Sequence, residues 1–350
     1  ALPNGHVTVD LMDEIITRLR SMEIRIVEES EVDAVGVEKD SDGLRMVGAT
    51  VKSLWQDLVA ESQQTGPRER STRWHGVNEI LDTFQPEDVI TLAALTSVGK
   101  TAFAMDIAEH YADTLGRHVA VFSLEMSRKQ LMMRQAAKRA QINGNKLKTP
   151  EELTDEDWRR LNTAIKEMGR MKIAIDDSSG IGVRELGARA RRMQEQVSGG
   201  LGLIVIDYVQ LMKTPDRDTR EQGISEVTRS IKGLAKSLKV PILQLSQLNR
   251  KAEERGYPIL ADLRESGSIE QDSDTVIFLH NKGPMTVLTV AKQRNGERNV
   301  TRKLARELQH FTFRDWDPLT DDQPSEETAA PRKRRGYGAD TASARAGDDR

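Results

Sequence analysis

The chain has 350 residues, a formal charge of −3, 37% hydrophobic and 31% charged residues, and no cysteine. That length holds one large domain with appendages or two modest ones, and the missing thiols exclude disulfides, thiolate metal sites and cysteine nucleophiles together. The acidic balance counts against a simple DNA-coating protein, whose affinity rests on neutralising phosphates, while leaving room for a ring that gathers positive charge in a central channel.

No apolar run approaches the ~18 residues of a membrane span. Residues 1–10 lack the basic-then-apolar order of a secretory signal, and the six histidines show no HxxxH or HExxH spacing. The expectation is a cytoplasmic protein with no membrane partner and no transition-metal site.

Along the chain, an amphipathic stretch (Val9–Leu19), a β-rich run (Ile24–Glu28) and an acidic segment (Glu29–Gly43) make residues 1–46 a small accessory or tether region. In residues 47–72, Val51, Leu54, Trp55, Leu58 and Val59 recur at the spacing of a one-faced helix. Its apolar stripe either packs on its own domain or docks on a neighbouring subunit. From Asp88 onward short β-branched runs alternate with amphipathic stretches. The runs are Val89–Ala93, Val119–Leu124, Ile173–Asp176, Leu203–Asp207, Ile242–Ser246, Val276–Leu279 and Val287–Ala291, and the helical patterns include Val183–Gln196 and Ile224–Leu238. This alternation predicts an α/β fold, a mostly parallel twisted sheet flanked by helices. Short turns at Asn281–Pro284 and Asn295–Asn299 predict that the sheet ends in antiparallel hairpins. Residues 319–350, nearly devoid of large apolar side chains, read as a disordered tail whose Arg332–Arg335 cluster is a solvated charge run.

The strongest local signal is Ser97-Val98-Gly99-Lys100-Thr101, directly after an apolar run and directly before a helical stretch. Backbone N–H groups at such a helix start favour anionic oxygens. Lys100 would reach the β- and γ-phosphates of an NTP, and the Thr101 hydroxyl would ligate Mg²⁺. The first glycine of the usual phosphate-loop pattern is Ala94 here. Asp207, emerging from Leu203-Ile204-Val205-Ile206, supplies a carboxylate that can hold Mg²⁺ opposite Thr101; its bland alternative is a strand-end turn cap. Glu125, after Val119–Leu124, can position or deprotonate an attacking water. Gln247, after Pro241–Ser246, can sense a γ-phosphate. Four strand ends would thus meet at one edge of the sheet, where open α/β folds bind ligands.

Six collinear blocks resemble the C-terminal, RecA-like P-loop NTPase domain of the DnaB-type replicative helicases: SVGKTAFAMDIA (97–108), VAVFSLEMS (119–127), LGLIVIDYVQLM (201–212), VPILQLSQLNR (240–250), DLRESGSIEQDSD (262–274) and AKQRNG (291–296). The resemblance covers roughly residues 73–316, within a domain expected over 73–318. It implies ATP and Mg²⁺ as cofactors, with Ser97, Val98, Gly99, Lys100, Thr101, Ala102 and Arg250 about the nucleotide and Mg²⁺ on Thr101 and Asp207. It further implies Glu125 as catalytic glutamate, in a strand that neighbours the phosphate-loop strand, and Gln247 as γ-phosphate sensor. Lys292 and Arg294 match the basic pair that reaches a neighbouring subunit's ATP, and Arg264, Glu265 and Gly267 match a stretch that contacts DNA backbone. Without the family, Arg264 and Glu265 would read as a surface ion pair.

The implied function is an ATP-dependent DNA helicase translocating 5′→3′ on single-stranded DNA as a homohexamer, with a primase or helicase loader among its partners. Departures are Leu95-Thr96 in place of the family's Arg-Pro, shortened segments around 81–86 and 279–286, and residues 1–46 in place of the family's helical N-terminal domain. Two other readings stay open: a RecA-fold ATPase of recombination or phage packaging, and a weakly catalytic ATP-binding loading or assembly protein.

Overall fold

Strand β1 (Val89–Ala94) is buried at every position, as a parallel strand covered on both faces must be. Its side chains alternate between two cores: Ile90, Leu92 and Ala94 enter one, Val89 and Ala93 the other. The computed structural model describes residues 69–321 except 82, 216 and 264–266, together with positions 47, 51, 54–56, 58 and 59. The readings for residues 1–46, for residues 322–350 and for Arg264 and Glu265 lie outside the described residues. Contacts divide the chain into units 1–68 and 69–350. In the first unit, the described positions 47–59 are helical, and Val51, Leu54, Trp55 and Leu58 are exposed.

The second unit holds a nine-stranded sheet in the order β3-β2-β4-β5-β1-β6-β7-β8-β9. Strands β2 (His118–Ser123), β3 (Ile173–Asp176), β4 (Leu201–Asp207), β5 (Ile242–Gln247) and β6 (Thr275–Lys282) run parallel to β1 through this order. Strands β7 (Met285–Gln293), β8 (Val300–Glu307) and β9 (Thr312–Asp315) add antiparallel hairpins, as the short turns predict. One expectation is overturned. Strand β2 does not neighbour the phosphate-loop strand, because β4 and β5 lie between them.

The helices begin with α1 (His75–Asn78) and α2 (Lys100–Glu109), the latter running on as a π-turn over His110–Thr114. Helix α3 (Arg128–Ala140) starts at a Ser127–Gln130 capping box, and α4 (Asp155–Met168) at a Thr154–Asp157 one. Such reciprocal caps satisfy the free amides of the first turn. Then come α5 (Val183–Gln196), α6 (Arg220–Leu238), α7 (Lys251–Arg255) and α8 (Gly267–Asp272). Trp74, Phe103, Ile107 and Leu131 fill the core on the α1–α3 side, and Leu186, Ile224, Val227 and Ile231 the core under α5 and α6.

Two features fix the strand ends that matter below. Trp74 stacks on Phe103 of α2 with centroids 4.3 Å apart, Phe103 meets the edge of Phe313 on β9 at 5.8 Å, and the Trp74 indole donates to the Phe313 carbonyl at 3.0 Å. On the other face, Gln244 Nε2 donates to Thr91 Oγ1 at 2.8 Å, and Thr91 shares a 2.6 Å hydrogen bond with Ser273 beside α8.

Candidate functional site

The loop 95–99 joins the end of β1 to the start of α2. Ser97 (φ 65°) and Gly99 (φ 108°) are left-handed there, the turn chemistry that curls successive backbone N–H groups round an anion. Gly99 is doubly required. Its φ is costly for other residues, and a Cβ would meet Phe313 Cζ at 2.7 Å. With Ser97, Val98, Gly99, Lys100, Thr101 and Ala102 thus at a helix N-terminus, the segment has the geometry of a phosphate cradle.

Thr101 Oγ1 donates to Asp207 Oδ2 at 2.7 Å, joining the first turn of α2 to the end of β4. Lys100 Nζ lies 4.6 Å from the Tyr208 ring centroid. Burial pulls the Lys100 ammonium below the usual lysine range, against the carboxylates of Asp207 and Glu125. Burial likewise raises Asp207 above the usual carboxylate value, against the Thr101 hydrogen bond and the Lys100 charge. Both groups are therefore held where charge is costly, and a triphosphate with a cation would relieve each. Asp207 Oδ1 is buried without a hydrogen-bond partner. A hydroxyl and a carboxylate with one unpartnered oxygen are hard donors of the kind Mg²⁺ takes, so Thr101 and Asp207 fit that ion.

Glu125 lies two residues past β2, in an exposed bend shaped by Ser123 Oγ donating to the Met126 carbonyl at 2.7 Å. Registers Ser123↔Asp207 and Ala94↔Gln247 put Glu125, Asp207, Gln247 and the loop at one edge of the sheet. Gln247 Nε2 donates to Thr96 Oγ1 at 2.8 Å. Behind it, Gln210 Nε2 donates to Ser246 Oγ at 2.8 Å, and Arg220 Nη2 donates to the Gln210 carbonyl at 3.2 Å, reaching the start of α6. Arg250, Thr96 and Gln247 line a shared cavity of about 940 Å³ beside the loop.

Lys292 and Arg294 are not at this edge. Gln293 pairs with Thr275, which pairs with Ile90 at the start of β1. The length of a six-residue strand, roughly 20 Å, separates that start from the phosphate loop. There Lys292 Nζ donates to the Glu270 carbonyl at 2.5 Å and Arg294 Nη2 to the Gln271 carbonyl at 3.1 Å, holding the last turn of α8. Arg294 also pairs with Asp274 at 3.1 Å, and Asp274 takes Lys232 at 2.6 Å and the Val89 N–H at 2.7 Å. Gly267 is the exposed first residue of α8, which Thr228 of α6 ties through Asp272 at 2.6 Å.

Arg134 on α3 escaped the sequence reading. Its guanidinium is coupled to Asp207 and Glu125, burial lowers its pKa, and it stacks over Phe311 at 5.2 Å. A single arginine in an amphipathic helix carries no motif that could have flagged it.

A family model described as the DnaB-like helicase C-terminal domain matches residues 71–315. Replicative DNA helicase DnaB of Geobacillus stearothermophilus is 45% identical over 234 residues, 63% of this chain and 51% of that protein. The Haemophilus influenzae replicative DNA helicase DnaB is 42% identical over 289 residues, 77% of this chain and 61% of that protein. The chain thus spans between half and two thirds of these relatives. Among solved structures, one described as an ATPase domain superposes with a TM-score of 0.73 at 29% identity, covering 79% of this chain and 100% of that one. A DnaB-like replicative helicase, described with its interactions with primase, superposes at 0.70 and 27% identity, covering 88% of this chain and 76% of that one. The fold is therefore RecA-like, and among the described residues no helix is long and apolar enough to cross a membrane.

Proposed function

Because the chain belongs to the DnaB-like helicase C-terminal domain family, we propose that it is the ATP-hydrolysing motor of a DNA helicase, working as a homohexameric ring on single-stranded DNA during replication. The observation that carries this reading is the division of the site. Lys100, Thr101, Glu125, Asp207 and Gln247 share one edge of the sheet, while Lys292 and Arg294 sit at the opposite edge of the same chain. A basic pair that cannot reach its own phosphate loop suits catalysis in trans, where a second copy supplies it.

Lys100 and the loop N–H groups would hold the β- and γ-phosphates. Bound Mg²⁺ on Thr101 and Asp207 would supply neutralising charge for the phosphate oxygens. Glu125 would orient the attacking water and accept its proton as the γ-phosphoryl group leaves ADP. Arg294 and Lys292 of the next copy would stabilise the charge that spreads over the transferred group. Arg250, beside the loop, would complete the nucleotide contacts. Coupling to DNA would run from Gln247 through Gln210 to Arg220 and the loops at 212–223 and 248–267, with Arg264, Glu265 and Gly267 on the DNA backbone. The exposed stripe of Val51, Leu54, Trp55 and Leu58 suits docking on the adjacent subunit of the ring, and a primase or loader would act on the assembled ring.

The test is steady-state ATP hydrolysis by the chain with and without single-stranded DNA, beside Lys100→Ala and Glu125→Gln, followed by duplex unwinding. DNA-stimulated turnover is expected, lost in both variants, with Glu125→Gln still binding ATP. Turnover indifferent to DNA would move the assignment to a loading or assembly ATPase.

A further inference from the structure

We infer that Thr96 is a latch for Gln247 and sets how well this site tells a nucleoside triphosphate from a diphosphate. The inference rests on the nucleotide-site reading above. It names a residue that no part of that reading uses.

Gln247 is the last residue of β5 and pairs with Ala94, the last residue of β1. One residue further on, the Leu248 N–H donates to the Ala94 carbonyl at 3.2 Å. The turn after β5 is therefore tied by its backbone to the root of the phosphate loop. The side chain repeats the tie two residues into the loop, where Gln247 Nε2 donates to Thr96 Oγ1 at 2.8 Å. A residue with no side-chain acceptor at position 96 would lose this contact.

The amide carries two N–H groups, and the one given to Thr96 fixes its orientation, so swinging Nε2 toward a γ-phosphate oxygen gives that bond up. A charged phosphate oxygen is the stronger acceptor and wins that exchange. Its gain is reduced by the hydrogen bond given up. A diphosphate carries no γ-oxygen and leaves the Gln247–Thr96 contact as it is. The latch thus weakens triphosphate binding selectively. It also gives the amide another partner once the γ-phosphoryl group has gone, which favours the diphosphate state over the triphosphate state. Both effects fall on the residue that heads the route to Gln210 and Arg220, so Thr96 bears on when that route is engaged.

The test is equilibrium binding of a slowly hydrolysed ATP analogue and of ADP to the full chain, Thr96→Val, Thr96→Ser and Thr96→Val/Gln247→Ala, with Mg²⁺ present. Valine keeps the shape of threonine and removes the acceptor. Thr96→Val should bind the triphosphate about two- to tenfold tighter, the span of one net hydrogen bond, with ADP affinity unchanged. Thr96→Ser should behave as the parent does, and the gain should vanish in the Gln247→Ala background. An unchanged triphosphate-to-diphosphate ratio in Thr96→Val, an equal shift for both nucleotides, or a gain that persists without Gln247 would overturn the latch while leaving the nucleotide site standing. A chain that binds neither nucleotide, and so does not differ from Lys100→Ala, would overturn the site itself.

Discussion

At the phosphate-loop edge of the sheet, Asp207 Oδ1 is buried without a partner, burial works against the charge of both Lys100 and Asp207, and Ser97 is held left-handed. At the opposite edge, Asp274 takes the Val89 N–H, Lys232 and Arg294, while Lys292 and Arg294 satisfy the final carbonyls of α8. The first edge leaves polar needs that a ligand can meet. The second ties Asp274, Lys232, Arg294 and Lys292 into one network and presents cations on that support, though Gln293 Oε1 and Ser268 Oγ are buried there without a partner and burial lowers Lys292 as well. In a ring where the two edges of neighbouring copies face one another, the phosphate-loop surface would do the binding and the networked cations the positioning. That arrangement limits reorganisation at the moment of reaction.

The sharpest way to break this comparison is Arg294→Ala. If the second edge serves the first of another copy, turnover should fall about 10³-fold or more, while ATP binding stays within about twofold. Steady-state kinetics and equilibrium binding measure the two. Mixing Arg294→Ala with Lys100→Ala subunits should restore part of the turnover, because hybrid interfaces join one intact half from each. Intact turnover in Arg294→Ala would remove the trans assignment.

A smaller effect is expected from Asp207→Asn. Its folded-state pKa is raised above the ordinary 3.8, so the folded chain holds this proton more tightly than the unfolded chain. Stability from this group is therefore greatest below 3.8 and falls as pH rises through the folded value. At neutral pH the asparagine variant, carrying no buried charge, should melt higher than the parent. It should also lose Mg²⁺-dependent nucleotide binding. A variant that melts lower at neutral pH would show that the carboxylate is stabilising without a ligand, and would erase the contrast between the edges.

The least change should come from α4, which belongs to neither edge. Thr154→Ala removes a helix cap and should cost about 1 kcal/mol in urea unfolding, with nucleotide affinity untouched. The Thr154 backbone hydrogen bond draws Asp157 down to about 2. Its contribution is thus complete above 3.8 and lost as pH falls toward 2. A nucleotide effect in Thr154→Ala would mean that the binding edge is wider than its four strand ends.

The central strands were readable in the sequence because burial on both faces writes them as unbroken apolar runs, Val89–Ala94 and Leu201–Asp207 among them. Strands β8 and β9 left no apolar run to read, since Val-Thr-Arg-Lys-Leu-Ala-Arg-Glu alternates charge with half-buried positions and Thr-Phe-Arg-Asp is only four residues long; only the Asn295–Asn299 turn announced a hairpin partner for β7. The residues at the phosphate-loop edge were readable by type and by their place after each strand. Strand order was not, because β2 and β1 are successive in the chain yet separated by two later strands, and no local pattern records which runs become neighbours. Nor was Thr96–Gln247, a contact between residues 151 positions apart. Its meaning rests on a hydroxyl that reads as neutral loop chemistry.

The clasp of Trp74, Phe103 and Phe313 also has a consequence in time. The backstop behind Gly99 belongs to a strand made about two hundred residues after the phosphate loop. At ribosomal rates of about 5–20 residues per second, the loop waits roughly 10–40 s for the ring that fills the space beside it. A nascent chain can pair its parallel strands in that interval, but the loop at Gly99 stays unbraced until Phe313 has emerged. The loop's packing is then completed late in synthesis, after most of the fold.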